Sequence, residues 1–449
     1  MPTAGWRRAR RLPVTIAEIM TPLVRAALGP DAPIAVVGWD GSRSGPSNAP
    51  WGLKINNRRG LRRLLWAPNE LGFARAYVSG DIEIQGDVLA GLSALEQVSD
   101  PLQGPTVRLD TETKKVLVKT ALRLGIIGLP PKPPLEEARL TRKRRHDKRR
   151  DAVAVRHHYD VGNDFYRLVL GESMTYSCGY WARPDDLHAA QTAKCDLVAR
   201  KLGLTAGMRV LDVGCGWGTF AAHAASQYGV RVVGVTLSRE QADYADKRML
   251  DEGVNDLVEV RVQDYRDVTD GPYDAIASIG MAEHVGAAML PTYAAKLYAL
   301  LQPKGRLLNH AISRRPGKPA GFSKTSFIDR YVFPDGELEA LATMVEALEG
   351  AGFEVRDVEA LREHYALTLQ AWVANLEANW DRAVTASSAG RARIWRLYMA
   401  GSALAFTANR LGINQVLVVK PTRRGDSGMP RTRTELLASR QRGLSRRDA

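Results

Sequence analysis

The chain has 449 residues, of which 45% are hydrophobic and 25% charged, a composition typical of a globular protein with two or three domains. Its formal net charge of +14 at pH 7 favours an acidic partner, either nucleic acid or an anionic membrane surface. Its three cysteines, Cys178, Cys195 and Cys215, form no Cys-x-x-Cys pair, which argues against a disulfide framework or a zinc site and suits a reducing cytosol.

The first block, residues 1–130, is predicted to be a small α+β domain. We expect short strands at 34–39, 53–55 and 82–84 and helices at 71–77 and 88–98. A basic start at 6–11 is followed by Glu18 and Arg25, so a secretory signal peptide is not expected. No run in the sequence is apolar enough to span a bilayer, and we expect the protein to stay inside the cell.

A linker is predicted over residues 131–152, because the proline-rich stretch 130–134 breaks regular structure. The basic run 142–150 holds seven Lys or Arg residues and one Asp. It is either a solvated hinge or a docking patch for anionic lipid. At about 1 kcal/mol per basic side chain, such a patch supports reversible membrane binding and not permanent anchoring.

Strands and helices alternate in the pattern from 153 to 420, which predicts a mostly parallel sheet covered on both faces. Strands are expected at 209–213, 231–236, 258–263, 273–279, 305–312, 354–361 and 415–420. Helices are expected at 191–202, 220–227, 239–252, 291–301 and 334–350. Ligands of such sheets bind outside the carboxyl ends of the strands. Residues 421–449, rich in Arg and Ser, are predicted to be a disordered tail.

A glycine-rich turn follows the predicted strand at 209–213, where the chain reads Val-Leu-Asp-Val-Gly-Cys-Gly-Trp-Gly from residue 210. Glycines at such a turn let the backbone approach a ligand closely. A phosphate would want bare N–H groups with no acid nearby, but Asp212 lies directly before the turn. An acid at this place favours a cationic or hydroxyl-bearing ligand, and S-adenosylmethionine fits that description.

Three further residues are ambiguous on residue type alone. Glu283, after the strand 273–279, is a base, a salt-bridge partner or a surface residue. His310 lies within an apolar run, where a histidine is more often a satisfied core residue than a catalyst, and Tyr365 is open to a structural role as well. The adjacent His157 and His158 have no partner ligands at metal spacing. The aromatic stretches 157–166 and 174–181 either close over a cofactor and an apolar substrate or pack a helix on the sheet.

The chain resembles the cyclopropane-fatty-acyl-phospholipid synthase family of S-adenosylmethionine-dependent methyltransferases. The resemblance rests on His-Tyr-Asp-Val-Gly-Asn from 158, Met-Thr-Tyr-Ser-Cys from 174, the glycine turn, Gly-Val-Thr-Leu-Ser from 234, Gln-Asp-Tyr-Arg-Asp from 263, Glu-His-Val-Gly from 283 and Tyr-Val-Phe-Pro-Asp-Gly from 331. It implies a Rossmann-like class I methyltransferase domain over 153–420, with a mostly parallel seven-stranded sheet. Residues 74–81 resemble the family's smaller α+β amino-terminal domain, a lipid-binding or accessory domain.

The resemblance also implies a reaction: methyl or methylene transfer from S-adenosylmethionine to the cis double bond of an unsaturated phospholipid acyl chain. A cyclopropane forms, and a bound bicarbonate accepts the proton. The implied catalytic residues are Cys178, Glu283, His310, Ile312 and Tyr365. The implied cofactor residues are Tyr176, Ser177, Gly214, Gly216, Thr236, Ser238, Gln241 and Gln263. A carbocation would be faced by aromatic rings, with Tyr176, Trp181, Phe322 and Tyr331 as candidates.

Ser402 stands where family members often carry a cysteine, so we assign it no catalytic role. Three alternatives stay open at this point. The same transfer with a different proton loss would give a methylene-branched chain, the precursor of a methyl-branched one. The positive charge is compatible with nucleic-acid methylation, although the residues after 279 lack an amino-methylation motif such as Asn-Pro-Pro-Tyr. A lipid-binding protein without catalysis is the third.

We therefore expect no nucleic acid and no metal at the site. The expected partner is the anionic inner face of the plasma membrane, to which a cytoplasmic enzyme would attach peripherally. The first block is compatible with membrane docking, substrate delivery or a homodimer contact.

Overall fold

The computed structural model describes residues 15–28, 33–97, 122, 124–137, 162–183, 186–317, 321, 326–334 and 336–438. Contacts divide the chain into two units, Met1–Glu137 and Ala138–Ala449. The basic run at 142–150, the His157–His158 pair and Phe322 lie outside the described residues. None of the helices that the structure describes is long and apolar enough to cross a membrane.

The first unit is a small α+β unit, as the sequence predicts. Its elements are α1 (Ile16–Leu28), β1 (Ile34–Val37), β2 (Arg43–Ser44), β3 (Trp51–Ile55), α2 (Arg58–Trp66), α3 (Glu70–Val78), β4 (Ile82–Gly86) and α4 (Val88–Gln97). The sheet has the order β2-β1-β3-β4, in which β1 and β3 are parallel and the other pairs antiparallel. Asn57 caps α2 by accepting a hydrogen bond from the Gly60 N–H, which fixes the start of that helix.

Part of the predicted linker is bound to this first unit. The Arg63 guanidinium, which also pairs with the buried Asp81, donates to the Lys132 carbonyl at 2.8 Å. Arg75 forms an ion pair with Glu137 at 2.6 Å. Residues 131–137 therefore pack on the first unit, while the remaining domain boundaries stay predictions.

The second unit contains the predicted seven-stranded sheet. Its elements are α5 (Asn163–Leu170), α6 (Leu187–Leu202), β5 (Arg209–Val213), α7 (Thr219–Tyr228), β6 (Arg231–Thr236), α8 (Arg239–Asp251), β7 (Val258–Val262), β8 (Tyr273–Ile279), α9 (Leu290–Leu300), β9 (Leu301–Arg314), α10 (Phe327–Tyr331), α11 (Leu341–Gly350), β10 (Glu354–Ala360), α12 (Arg362–Ala378), α13 (Trp380–Ala386), α14 (Ala389–Thr407), β11 (Leu411–Val419) and α15 (Arg433–Ala438). The strand order is β10-β11-β9-β8-β5-β6-β7.

The strands from β9 to β7 along this order are parallel, and β11 is antiparallel to both of its neighbours. Each face of the sheet carries its own apolar core. One core packs side chains of α6, α7 and α8 on the sheet, and the other packs those of α9 and α11. The parallel strands are buried on both sides, which explains their nearly continuous apolar sequences.

Two sequence predictions fail where distant contacts decide the local structure. The helix expected at 334–350 begins only at Leu341, because Glu337 pairs with Gly321 and Ala340 with Arg314 as isolated β-bridges. Residues 421–438 are not the predicted disordered tail. Leu436 on α15 is 5% exposed within the core beside α6. Residues 439–449 of that predicted tail lie outside the described residues.

Candidate active site

The glycine-rich turn after β5 has the backbone shape that the sequence predicts for a ligand site. Gly214, Gly216 and Gly218 have φ of 82°, 55° and 80°, a left-handed region that side chains rarely adopt. The N–H groups of Gly214 and Cys215 both donate to the Val235 carbonyl at 3.0 Å, which ties the turn to β6. A Cβ at Gly216 would meet nothing within 4 Å, so the turn has open space beside it.

Predicted cofactor residues continue along the carboxyl ends of β6 and β7. Thr236 donates through its hydroxyl to Gln241 Oε1 at 2.9 Å, and Ser238 caps α8 by accepting from the Gln241 N–H. The Gln263 N–H donates to the Thr236 carbonyl at 3.0 Å. The structure therefore brings six of the eight predicted cofactor residues to one sheet edge: Gly214, Gly216, Thr236, Ser238, Gln241 and Gln263.

Asp212 is a buried acid at the same edge, directly before the glycine turn. Its side chain is 2% exposed, and Oδ2 has no hydrogen-bond partner among the described residues. Burial raises the pKa of Asp212 to about 7, an effect that the positive charge of Lys194 opposes. A carboxylate with a free, buried oxygen fits the ammonium end of S-adenosylmethionine, as the sequence suggests.

Glu283 lies on the short turn Ala282–His284 that follows β8. Its Oε1 accepts a hydrogen bond from the Ile312 N–H at 2.7 Å, so Ile312 contributes its backbone to the site. Its Oε2 is buried and without a partner in the described part of the chain. Burial raises the pKa of Glu283 to about 7, and the Ile312 hydrogen bond opposes this.

His310 is fully buried in the middle of β9. Its Nδ1 lies 3.1 Å from Gln415 Nε2, across the β9–β11 pairing. Burial lowers the pKa of His310 to about 3, which keeps the imidazole neutral. In the tautomer that carries its proton on Nε2, the ring accepts a hydrogen bond from the Gln415 amide through Nδ1. That Nε2 is buried with no described partner, so it is a hydrogen-bond donor left for another acceptor.

Cys178 and Tyr365 meet at one backbone carbonyl. The Cys178 thiol lies 3.7 Å from the Leu361 carbonyl, which also accepts from the Tyr365 N–H at 3.1 Å. The Leu361 N–H donates to the carbonyl of Ile413, the β11 residue paired with Ile312 on β9. Burial raises the pKa of the Cys178 thiol, which stays neutral. Leu361 thus joins Cys178 and Tyr365 to the strand pair that carries His310 and Ile312.

A cavity beside the ends of β8 and β9 is lined by some of the predicted catalytic residues. Its lining consists of Ala282, Glu283, Asn309, Ala311, Ile312, Ser313, Glu339, Ala340, Leu341, Met344, Asn414 and Val416. Cys178, His310 and Tyr365 do not line it. Hydrogen bonds and strand pairing, rather than this cavity, connect the five predicted catalytic residues.

An aromatic cluster surrounds Tyr176. The ring centroids of Trp372 and Trp395 lie 5.3 and 5.5 Å from that of Tyr176, and the Tyr398 hydroxyl lies 3.3 Å from its hydroxyl. Tyr166 stands 6.1 Å away. Of the other aromatic candidates, Trp181 donates to the Thr368 hydroxyl and Tyr331 packs on Phe327. The sequence analysis missed Trp372, Trp395 and Tyr398, because they belong to helices without motifs.

Other functional candidates were also missed. Gln191 and Lys194 on α6 both bind Ser177, and Gln415 orients His310. The signal that could have found them is a polar or charged residue inside an otherwise apolar helix face or strand.

Comparison with known proteins agrees with this geometry. The sequence model of the mycolic acid cyclopropane synthetase family matches residues 146–416. A probable fatty acid methyltransferase of Mycobacterium tuberculosis is 42% identical over 410 residues, which is 89% of this chain and 93% of that protein. The cyclopropane-fatty-acyl-phospholipid synthase of Escherichia coli is 37% identical over 278 residues, 62% of this chain and 70% of that protein.

Among solved structures, the mycolic acid cyclopropane synthase CmaA1 complexed with SAH and CTAB superposes with a TM-score of 0.56. It is 34% identical, and the match covers 60% of this chain and 97% of that one. The glycine turn, the free oxygen of Asp212 and the polar strand ends fit the same cofactor chemistry here. The chain belongs to the mycolic acid cyclopropane synthetase family and is an S-adenosylmethionine-dependent methyltransferase with the class I fold.

Proposed function

We propose that the enzyme transfers a methyl group to the cis double bond of an unsaturated phospholipid acyl chain and forms a cyclopropane ring. One observation carries this proposal: Glu283 Oε2, on the turn after β8, and His310 Nε2, on β9 opposite the last residue of β8, are buried polar atoms without described partners. The aromatic cluster around Tyr176 extends toward Glu283 through ring contacts: Tyr398 lies 5.9 Å from Phe333, which lies 6.0 Å from His284, the residue after Glu283. A base site beside aromatic faces suits a carbocation that must lose a proton.

The proposed reaction consists of an attack on the methyl group, formation of a carbocation, and ring closure with loss of a proton. S-adenosylmethionine supplies an electrophilic methyl group when it is bound. The π electrons of the double bond form the new carbon–carbon bond, which leaves a carbocation and S-adenosylhomocysteine. One C–H bond of the new methyl then breaks, its electron pair closes the ring and its proton leaves. No base is needed before the attack, and a positioned base is needed after it. Each aromatic face contributes about 0.5–2 kcal/mol toward the cation.

A bicarbonate ion fits the polar atoms left open at the base site. Glu283 Oε2 can accept its O–H, and the neutral His310 can donate from Nε2 to one of its oxygens. The neutral Cys178 thiol and Tyr365 would close the site from the α12 side. Bicarbonate held there would supply the proton acceptor that the reaction requires.

The first unit has the features of a docking face for an anionic phospholipid membrane. Its α2 carries Arg58, Arg59 and Arg62, whose side chains are exposed or half-buried, whereas Arg63 is buried against Asp81. Arg59 and Arg62 line a cavity with Lys132. Six apolar side chains of the same unit are exposed: Leu65, Trp66, Leu122, Ile127, Leu129 and Leu135. These are six of the ten large hydrophobic side chains found exposed in the described residues. Cationic groups among exposed apolar ones match a membrane interface. These features support our proposal that the enzyme binds peripherally to an anionic membrane, which we expect to be the cytoplasmic face of the plasma membrane.

The alternative product is a methylene-branched chain, the precursor of a methyl-branched one. It is a second candidate because the relative that matches 89% of this chain is named a probable fatty acid methyltransferase, a name that specifies no ring, while the Escherichia coli cyclopropane synthase matches 62%. In this alternative the proton leaves a neighbouring chain carbon instead of the new methyl group.

Product analysis separates the two. The purified enzyme is incubated with methyl-labelled S-adenosylmethionine and an oleoyl phosphatidylglycerol, and the released chains are examined by mass spectrometry and NMR. We expect cyclopropane ring protons; an exocyclic methylene without a ring would contradict the proposal. Free oleate and nucleic acids, offered as separate acceptors, should take up methyl groups more slowly than the phospholipid.

The docking face is tested by sedimentation with vesicles. A variant with Trp66→Ser and Leu129→Ser should bind phosphatidylglycerol vesicles at least about tenfold more weakly than the parent, since each side chain loses its burial in lipid. Leu250→Ser, which removes a 65% exposed leucine from the second unit, is the matched control. Unchanged vesicle binding, or a loss of self-association in place of vesicle binding, would contradict the membrane proposal and favour a homodimer contact.

A further inference from the structure

Helix α6 presents two buried polar side chains to a single serine. Gln191 is 0% and Lys194 2% exposed, and their three-residue spacing puts them on one face of the helix. The Gln191 amide donates to the Ser177 carbonyl at 2.8 Å, and the Lys194 ammonium donates to the Ser177 hydroxyl at 3.2 Å. Ser177 is thus held through both its main chain and its side chain.

Lys194 differs sharply from the other buried lysine of the same helix. Lys201 is 0% exposed and forms ion pairs with Asp357 at 3.1 Å and Glu359 at 2.6 Å. Lys194 has no carboxylate within ion-pair distance in the described ranges, and its one hydrogen bond there goes to Ser177. A buried ammonium with donors to spare is costly unless an anion pairs with it. Lys194 is therefore a buried cation, and an anionic ligand that paired with it would offset the cost of its burial.

The position of Lys194 relates it to the cofactor edge of the sheet. Ser177, the hydrogen-bond partner of Lys194, lies beside Gly280: a Cβ at Gly280 would be 4.0 Å from Ser177 Cβ, and a Cβ at Gly214 of the glycine turn would be 3.1 Å from the Cβ of Met281. The charge of Lys194 also acts on the pKa of Asp212, the buried acid before that turn. Asp212 and Lys194 therefore offer one negative and one positive group, at the place where a ligand would meet the turn. The amino-acid end of S-adenosylmethionine is a zwitterion with an ammonium and a carboxylate, which matches such a pair in both signs.

We propose that Lys194 binds the carboxylate of S-adenosylmethionine beside Ser177, which the family resemblance already implies as a cofactor residue, and that Gln191 is a positioning residue for Ser177. This inference depends on the cofactor chemistry of the family and not on the acceptor proposed above. Failure of either one leaves the other standing, since cofactor binding is measured without any lipid.

The test compares two ligands by calorimetry: S-adenosylmethionine and its decarboxylated analogue, which keeps the ammonium and the sulfonium. For Lys194→Met we expect affinity for S-adenosylmethionine to fall about 30-fold, the size of a lost hydrogen-bonded ion contact, with affinity for the analogue nearly unchanged. The preference of the parent enzyme for the carboxylate-bearing ligand should then largely disappear. Lys247→Met, an exposed lysine on α8, controls for the loss of one positive charge.

Lys194→Arg should restore part of the preference because it returns the charge. Gln191→Leu should weaken S-adenosylmethionine binding less than Lys194→Met does. If Lys194→Met does not fold, Ser177→Ala makes the same comparison and should also shrink the preference. An equal loss of affinity for both ligands, or no loss for either, would overturn the proposal. So would an unchanged carboxylate preference with an altered bicarbonate dependence of turnover, because Lys194 would then serve the other anion.

Discussion

The two halves of the active site differ in how fully their polar groups are hydrogen-bonded. In the cofactor half, along the ends of β5 to β7, Thr236, Ser238 and Gln263 have hydrogen-bond partners in Gln241 and the backbone, whereas Asp212 Oδ2 is left without a described partner. In the acceptor half, around β9 and α12, Glu283 and His310 are buried with polar atoms left over. The first half offers an open glycine turn beside buried side chains, most of which are hydrogen-bonded. The second half holds buried polar atoms of Glu283 and His310 without described partners. In a low-dielectric interior, such atoms interact strongly with a bound ligand.

The contrast indicates where substitutions should act. Changes in the cofactor half should alter binding of S-adenosylmethionine, whereas changes in the acceptor half should alter turnover at unchanged cofactor affinity. Changes that violate this division would show that the two halves are coupled through shared residues.

The largest expected effect comes from Glu283→Gln. Without the carboxylate, the proton acceptor loses the group that orients it, so turnover should fall about 10²–10⁴-fold, the usual value of a positioned acid or base. The assay is methyl transfer to a phospholipid at saturating S-adenosylmethionine. Cofactor affinity by calorimetry is the control and should stay within about threefold of the parent. Turnover close to that of the parent enzyme would remove Glu283 from the mechanism.

The pH dependence of the free energy of unfolding should also report the burial of the Glu283 carboxyl group. The folded state raises the pKa of Glu283 from 4.5 to about 7, so its favourable contribution is present below pH 4.5 and is lost as the pH rises through 7. The rise is equivalent to about 3 kcal/mol. Glu283→Gln should therefore be more stable than the parent at pH 8, with the difference vanishing near pH 4.5. Urea unfolding of the parent and the variant at pH 8 and pH 4.5 measures the difference in their free energies of unfolding. The same difference at both pH values would contradict a buried, ionising Glu283.

The aromatic cluster should give a smaller effect on turnover. Trp395→Leu removes an aromatic face beside Tyr176, and we expect a turnover about tenfold lower, corresponding to the loss of one cation–π contact. Trp395→Phe keeps a ring and should lose less. Melting temperatures of both variants separate this effect from a packing defect. Equal turnover in the Leu and Phe variants would argue against a carbocation facing the cluster.

The smallest effect is expected at Cys178. Its thiol is buried and neutral, and it lies 3.2 Å from the Gly179 carbonyl and 3.7 Å from the Leu361 carbonyl, contacts that a serine hydroxyl can replace. Cys178→Ser should keep turnover within about threefold of the parent enzyme. A loss of more than about 100-fold would mean that the thiol itself takes part in the reaction, since one neutral hydrogen bond contributes far less.

Much of the cofactor half could be predicted from the sequence. The glycine turn, Thr236 and Ser238 all follow apolar strands directly, and parallel strands bring their carboxyl ends to one edge. Local signals sufficed there because each motif is read over a few neighbouring residues. The predicted strands 258–263 and 354–361 each ended one residue late, 305–312 was too short, and 415–420 began four residues late and ended one residue late.

In the acceptor half, local sequence patterns did not predict the roles or the contacts of the residues. Residue type alone left Glu283, His310 and Tyr365 open to structural roles, and it was the family resemblance that pointed to them. No local pattern links Cys178 to Leu361, His310 to Gln415 or Ser177 to Lys194, because the chain separates these partners by many residues. The burial that shifts the pKa of Glu283 and of His310 in opposite directions is likewise a property of the packed interior.

The sequence by itself therefore determined the α/β class, the approximate positions of the strands along the chain and the glycine turn of the cofactor site. These depend on apolar periodicity and on glycine, whose conformational freedom is local. Only the tertiary structure decided which buried polar atoms are left without partners, that residues 421–438 pack on the second unit, and that Lys194 lies uncompensated beside Ser177. Those facts depend on long-range contacts and on exclusion of water, which no short stretch of sequence encodes.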